Sequence, residues 1–400
     1  MANNKNTKVP NVPNLRFPEF EGEWEKHLLT DFMSFKNGMN PEAKRFGNGV
    51  KFISVMDILN NQFIYYDDIR ALVEIADGDL ETYGVKYGDI LFQRSSETLE
   101  DVGQANVYLD SKPAVFGGFV IRGKSKGNYN PLFFRYLLTS PTVRKRVIVK
   151  GAGAQHFNIG QDGLSKVCID IPCIKEQEKI ARLLSLLDER ITTQNKIIED
   201  LKKLKSAIIE MEYGNMAKSI SHIGDFIEQT SKRNKDSAIL NVLSVSNSQG
   251  FIQQSEQFEN RIVASDDTSN YKIVARNDFA FNPARINVGS IARLTTFERG
   301  IVSPMYICFR TKDNLFPEYL DYYFESKRFF AEIQKRLEGS VRQCLSFEGL
   351  CNIPLCIPTV EIQQQIGKRL STLAKEIKLE IDFLELLQRQ KRFLLHQMFI

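Results

Sequence analysis

Two stretches of the chain carry apolar residues in alternating steps of four and three. The first is Ile180, Leu184, Leu187, Ile191, Ile198, Leu201 and Ile208. The second is Ile366, Leu370, Leu373, Ile377, Leu384, Leu387 and Leu394, each at one constant offset from its counterpart. The polar interruptions coincide at the same offset, Gln194 with Glu380 and Lys205 with Lys391. Neither stretch contains Pro or Gly between Glu176 and Tyr213 or between Leu370 and Ile400, and Gly214 supplies a helix stop. The spacing predicts two long helices. A single such stripe also suits a helix facing a core. The same register kept for about four heptads in two places predicts that the helices pair as a coiled coil, with the polar positions fixing register. A helix of some 36 residues would be roughly 54 Å long.

The sequence before each helix repeats too. Residues 153–172 and 339–358 align without a gap, pairing Leu164 with Leu350 and Ile171 with Ile357. Upstream the resemblance is weaker but keeps its order. Leu29-Thr30-Asp31-Phe32 returns as Ile223-Gly224-Asp225-Phe226. Gly88-Asp89-Ile90-Leu91-Phe92 returns as Asn277-Asp278-Phe279-Ala280-Phe281, and Val120-Ile121-Arg122 as Cys308-Phe309-Arg310. β-rich runs at 50–55, 89–92, 114–121 and 167–171 match runs at 240–245, 278–281, 301–309 and 353–357. Pro131 and Pro317 open amphipathic runs that predict helices over 131–149 and 317–337. The chain reads as globule, long helix, globule, long helix, an α+β architecture.

Composition narrows the class. The 400 residues hold 53 Lys+Arg against 49 Asp+Glu, with four His, six Cys and one Trp. A 42% hydrophobic and 26% charged chain builds cores, which excludes a disordered tail, a collagen-like fibre and a small disulfide scaffold. No run approaches the roughly 18 apolar residues of a membrane span. The polar first residues, Met1 to Pro13, lack a signal-peptide core, so a cytoplasmic location is expected. The cysteines form no CxxC pair and the histidines no HxxxH, so no metal site is assigned.

Catalytic motifs are missing or broken. Gly118-Phe119-Val120-Ile121-Arg122-Gly123-Lys124-Ser125 has the letters of a phosphate-binding loop. Such a loop must follow a strand and open a helix. Here the middle residues are strand-like and no helix can follow at once. Asn282-Pro283-Ala284-Arg285 resembles the catalytic tetrapeptide of amino-methyltransferases but lacks its second Pro and its aromatic. A non-catalytic binding protein is the expectation, with an NTPase using Gly118–Ser125 as a rival.

Charge is unevenly spread. Between Ser111 and Gln161 stand Lys112, Arg122, Lys124, Lys126, Arg135, Arg144, Lys145, Arg146 and Lys150, with no Asp or Glu. Phe116, Phe119, Tyr129, Phe133, Phe134 and Tyr136 are interleaved. In the second copy, Phe279 to Phe297 carries Arg285 and Arg293 and no acid. One-sided basic stretches in a near-neutral chain suit a phosphate-facing surface, although a solvated face is the competing reading. Arg, Lys, Asn and Gln read base edges. The candidate DNA-binding residues are therefore Arg94, Arg122, Lys124, Lys126, Arg144, Lys145, Arg146, Lys150, His156, Asn282, Arg285, Asn287, Arg293 and Arg342. They sit in the basic runs and in the loops 93–96, 151–158, 282–287 and 339–343. Arg94 and Arg285 follow matched strands, and His156 aligns with Arg342.

Three stretches resemble one family. They are Val12-Pro13-Asn14-Leu15-Arg16-Phe17-Pro18-Glu19-Phe20 leading to Trp24, Phe281-Asn282-Pro283-Ala284-Arg285-Ile286-Asn287-Val288-Gly289, and the junction of Pro172 with Glu176-Gln177 and Ile180. The junction is repeated as Pro358 with Gln363 and Ile366. The pattern is similar to the specificity subunit of type I restriction–modification systems; one departure is Ile362 where the first junction has Glu176. The resemblance implies two target-recognition domains, residues 1–175 and 214–360, each reading half of an asymmetric, interrupted duplex site. It implies that helices 176–213 and 361–400 form an antiparallel coiled coil that sets the gap and docks two methyltransferase subunits. S-adenosylmethionine, ATP and Mg would belong to those and to restriction/translocase subunits, with no cofactor in this chain and no membrane partner. The alternative is a coiled-coil adaptor whose globules bind proteins.

Overall fold

The computed structural model describes residues 10–153, 156–214, 221–247, 249–257, 267–339 and 343–400. It divides into two compact units, Met1–Gln194 with Phe383–Ile400, and Asn195–Asp382.

The first unit is built on an antiparallel sheet in the order Met33–Asn37, Val120–Ser125, Ile90–Gln93, Ala105–Val107. A second sheet joins Leu72–Val73, Phe46–Ile53 and Val115–Phe116, the last pair parallel. The second unit repeats the first sheet as Ile227–Thr230, Ile307–Thr311, Phe279–Phe281, Ile291–Arg293. Its other sheet runs Gly250–Gln253, Val242–Ser246, Arg299–Val302, Lys272–Ala275, again with one parallel pair.

The strand register corrects one sequence match. Phe92 pairs with Ile121, and Phe281 with Ile307. The counterpart of Ile121 is therefore Ile307, and Arg122 corresponds to Cys308 rather than Arg310. Lys124, opposite Ser34, takes the place of Arg310, opposite Glu228.

Several expected elements are divided. The 114–121 run is two strands separated by a turn at Gly117-Gly118. The 301–309 run is likewise split at Pro304, which cannot donate to a ladder. The aromatic helices break at matched serines. Pro131–Thr139 and Pro141–Ile148 meet at Ser140, and Pro317–Tyr323 and Lys327–Gln334 at Ser326. Each serine is fully buried. Its hydroxyl donates to the carbonyl three residues back at 2.7 Å and accepts the N–H three residues on, ending one helix and capping the next. The run 353–357 is not a strand. Its counterpart Cys168–Ile171 pairs with Glu25–Leu28, but Pro354 interrupts the second copy and leaves a single bridge to His222.

The long helices span Ile174–Gly214 and Val360–Gln397, 41 and 38 residues. In the first unit Leu184, Leu187, Leu387 and Leu394 share one core with Trp24, Ile90, Phe92 and Phe133. Asp188 meets Lys391 there, and Arg190 lies over the Phe383 ring, so one helix rises in number as the other falls. The two helices pair antiparallel. In the second unit Ile209, Tyr213, Ile366 and Leu370 share a core with Tyr319 and Tyr323, and Arg369 reaches Glu212 at 3.0 Å. None of the fourteen heptad residues is exposed, as a paired seam requires.

Candidate nucleic-acid interface

In each unit a strand end and a hairpin are tied into one surface. In the first, Gln93 ends its strand and its buried amide donates to the Ser95 carbonyl at 2.8 Å, turning the chain outward. Ser95 and Ser96 then pair with Asn158 and Phe157. The loop before Asn158 closes on itself through two backbone hydrogen bonds between Ala152 and Asn158, both 2.9 Å. The Ile159 N–H donates to the Arg94 carbonyl at 2.9 Å.

The second unit repeats this. Buried Asn282 directly follows the matching strand and its side chain accepts the Ala284 N–H at 3.1 Å. Glu338 and Cys344 exchange backbone hydrogen bonds at 2.9 and 2.8 Å, and the Leu345 N–H donates to the Pro283 carbonyl at 3.0 Å. Ala152, Asn158 and Ile159 precede Glu338, Cys344 and Leu345 by the same offset that relates the two long helices. The same chemistry thus joins the 93–96 loop to 152–159 and the 282–287 loop to 338–345. By this pairing the counterpart of Arg94 is Pro283, and Arg285 stands two positions further out.

The candidate residues separate into two groups. Exposed or half-buried on these loops or next to them in sequence are Arg94, Lys150, His156, Arg285 and Asn287, while Lys145 is exposed on the helix Pro141–Ile148. Lys124 is exposed at a sheet end. Arg94 donates to the Gly118 carbonyl at 3.3 Å, which aims its guanidinium along the 117–120 turn.

The others are engaged by partners within the protein, and the sequence expectation for them is corrected. Arg122 and Asn282 are buried, Arg144, Arg146 and Arg293 half-buried, and Lys126 exposed. Arg122 is 5% exposed, donates to the Gly84 carbonyl and lies over the Phe116 ring. Burial lowers its pKa. Arg144 holds the carbonyls of Glu100 and Val102 at 2.7 and 2.8 Å. Arg146 pairs with buried Asp170 at 2.7 Å. Arg293 is held by Asp321 at 3.0 Å and Glu318 at 3.2 Å. Lys126 donates to the Thr30 carbonyl, as Lys312 does to that of Asp225. Asn282 shapes its loop from inside. A count of basic residues does not see these acceptors, because helices and carbonyls distant in sequence supply them. Arg342 lies outside the described residues.

The Gly118–Ser125 run contains the strand Val120–Ser125 and opens no helix, so it has no phosphate cradle. Asp89 and Asp278, at matched strand starts, have carboxyl pKa values raised by burial, against backbone N–H groups that pull them down. No group of His, Cys, Asp and Glu suited to a metal occurs among the described residues. No helix among them is long and apolar enough to cross a membrane.

A basic recess in the second unit was not among the sequence expectations. Lys232, Arg233, Lys235 and Arg299 line an open hollow of about 770 Å³, with Asp236 the acid among its lining residues. Buried Asn234 shapes the loop by bonding both the N–H and the carbonyl of Ile239. The signal in the sequence was the Lys232-Arg233-Asn234-Lys235 run.

The family model for the type I restriction modification DNA specificity domain matches twice, over residues 21–203 and 219–389. The chain belongs to this family. It is 26% identical over 214 residues to the putative type I restriction enzyme MjaX specificity subunit of Methanocaldococcus jannaschii, covering 51% of this chain and 48% of that protein. It is 26% identical over 164 residues to the type I restriction enzyme EcoKI specificity subunit of Escherichia coli, covering 40% of this chain and 34% of that one. The chain thus spans about half the length, or less, of the curated relatives it matches. The S subunit crystal structure from M. genitalium superimposes over 97% of this chain and 99% of that one, with a TM-score of 0.58 and 14% identity. That likeness is one of fold.

Proposed function

We propose that this specificity-family chain is the DNA-recognition subunit of a type I restriction–modification complex, each unit reading one half of an asymmetric bipartite duplex site. The observation that carries the reading is the repeated junction of loops, Ile159 to Arg94 and Leu345 to Pro283. It gives both units one scaffold while presenting different side chains, Arg94 and His156 in one, Arg285 and Asn287 in the other. Dissimilar readers on a shared frame suit dissimilar half-sites.

In this reading the functional divisions run 1–175, 176–213, 214–360 and 361–400, and the antiparallel helices fix the gap and dock two methyltransferase subunits. The chain itself is non-catalytic and cytoplasmic. S-adenosylmethionine, ATP and Mg act in the methyltransferase and restriction/translocase subunits. The test is methylome sequencing after co-expression with the cognate methyltransferase subunit. The expected result is one bipartite motif with a fixed gap. Methylation without such a motif overturns the reading.

A further inference from the structure

Of the aromatic residues interleaved with the 111–161 basic run, Phe116, Tyr129, Phe133, Phe134 and Tyr136 are buried, but Phe119 is 68% exposed. It is the third residue of a tight turn closed by the Val120 N–H donating to the Gly117 carbonyl at 2.9 Å. The turn is fixed from beneath. A Cβ on Gly118 would collide with Asn40 Oδ1, and one on Gly117 would stand 2.6 Å from the Phe52 ring.

The second unit has the same turn at the matching place in its repeat. The Tyr306 N–H donates to the Ser303 carbonyl at 3.1 Å, and the third residue is Met305, 59% exposed. Each turn leaves the strand that makes its unit's parallel pair and enters the central strand of the antiparallel sheet. Two separate units thus lift a large apolar side chain into water at one position.

Both tips adjoin the reading loops. The Phe119 carbonyl accepts the Arg94 N–H at 2.9 Å. In the second unit the Tyr306 hydroxyl accepts the Val245 N–H at 3.4 Å, and the Val245 carbonyl accepts from Ser290 of the 282–290 loop at 3.3 Å. The Lys272 ammonium donates to the Tyr306 carbonyl at 2.6 Å.

An apolar tip gains nothing from phosphate. On a duplex its matching surfaces are base faces and thymine methyls. Phe and Met differ in shape and share only bulk and apolarity, while the loops beside them differ in chemistry. A contact common to two dissimilar half-sites cannot be one that discriminates bases. We propose that Phe119 and Met305 are wedges that enter the base stack at the edge of each half-site and loosen one base step. The proposal rests on the DNA-recognition reading above. A loosened step lowers the cost of extruding a base for chemistry by a partner enzyme.

The test uses the full chain assembled with its methyltransferase subunits, and Phe119→Ala, Met305→Ala and, as control, Leu240→Ala, which removes another exposed apolar side chain. Melting curves establish that each variant is folded. Affinity is measured on the intact site, on sites with a mismatch at each step, and on sites with uracil for thymine, while 2-aminopurine fluorescence reports unstacking. Phe119→Ala should bind the intact site about tenfold more weakly. It should lose the fluorescence rise in one half-site only, and regain affinity when that step is mismatched. Met305→Ala should do the same in the other half-site.

Wild-type affinity and fluorescence in both variants would overturn the proposal, as would a deficit that mismatches do not repair. A deficit reproduced in the wild type by uracil would identify a thymine-methyl contact and equally overturn it. Wild-type protein that binds no duplex in a sequence-specific way would instead overturn the DNA-recognition reading.

Discussion

Lys391 Nζ lies 2.5 Å from one oxygen of Asp188, whose other oxygen accepts the Tyr136 hydroxyl at 2.8 Å. Asp188 is 4% exposed. Burial, then the Asp188 charge, pushes the Tyr136 pKa up and keeps it a neutral donor. The same ammonium sits 5.9 Å from the Tyr136 ring centroid; its counterpart in the first long helix, Lys205, sits 5.1 Å from that of Tyr322. Each repeat's aromatic helix is therefore met by a lysine from the other repeat's long helix.

Removing one partner of a buried pair strands the remaining charge. Lys391→Met should destabilise the first unit by roughly 3 kcal/mol, the low end of the range because Lys391 is part-exposed. Chemical denaturation followed by fluorescence of Trp24, which packs edge-on to Phe133 and Phe399 in the same core, measures it. Asp188→Asn in the Lys391→Met background should recover most of the loss. A double variant no better than the single would show that packing of the lysine stem, not charge, dominates.

Gln177 and Gln363 do one job in two places. Gln177 accepts the Asn130 N–H at 3.0 Å and donates to the Pro172 carbonyl at 3.0 Å. Gln363 accepts the Phe316 N–H at 2.8 Å and donates to the Pro358 carbonyl at 2.9 Å. Each clamps the start of a long helix to the start of an aromatic helix. Leucine should leave two backbone groups without their partner at Gln177 and three at Gln363, which also donates to the Asn314 carbonyl at 3.1 Å, and cost roughly 1–3 kcal/mol. Hydrogen exchange should quicken at 130–139 for Gln177→Leu and at 316–323 for Gln363→Leu. Exchange rising equally in both units would contradict a local clamp.

The helices and the tandem plan were legible because heptad spacing and a constant offset are properties of the chain itself. Gln177 and Gln363 were visible as a repeated letter, though not as a clamp. The exchange of Glu176 for Ile362 between the copies was visible too, but not its cause. The Glu176 carboxylate takes a bidentate Arg16 contact and the Trp24 indole N–H, whereas Ile362 is exposed. The site was harder. Arg122 and Lys124 lie two apart on one strand, yet Gly84, from a covering segment, caps only the first. The hairpin that meets Arg94 begins far downstream at Ala152, a closure that no local pattern encodes. Nothing in the sequence set Phe119 apart from the five other aromatics interleaved with the basic run, which are buried, because the turn that exposes it depends on Asn40 beneath.

Arg94 and Arg285 carry the sharpest expectation on specificity. Arg285 is exposed, and its backbone is fixed by hydrogen bonds to Asn282, Val288 and Ser290. Arg94 is half-buried, and its backbone bonds to Phe119 and Ile159. If each is bidentate to a guanine, alanine at either should cost about 1–3 kcal/mol and relax one position of one half-site. Methylome sequencing of Arg94→Ala and Arg285→Ala strains should show degeneracy in opposite halves. Motifs unchanged in both would place base reading elsewhere on these loops.

The basic recess of the second unit should behave differently. Lys232 and Lys235 are exposed, whereas Arg233 donates to Asn270 at 2.8 Å and Arg299 completes the basic lining. Cations that touch phosphate release counterions whatever the base sequence. Lys232→Ala and Lys235→Ala should therefore weaken specific and non-specific duplexes alike, and each lost contact should flatten the plot of log affinity against log salt by about 0.9. The methylated motif should stay as it was. A changed motif with an unchanged slope would make these lysines base readers. Salt dependence unaltered in both variants would turn the recess away from DNA and leave the phosphate contacts of this unit to Arg285 and its neighbours.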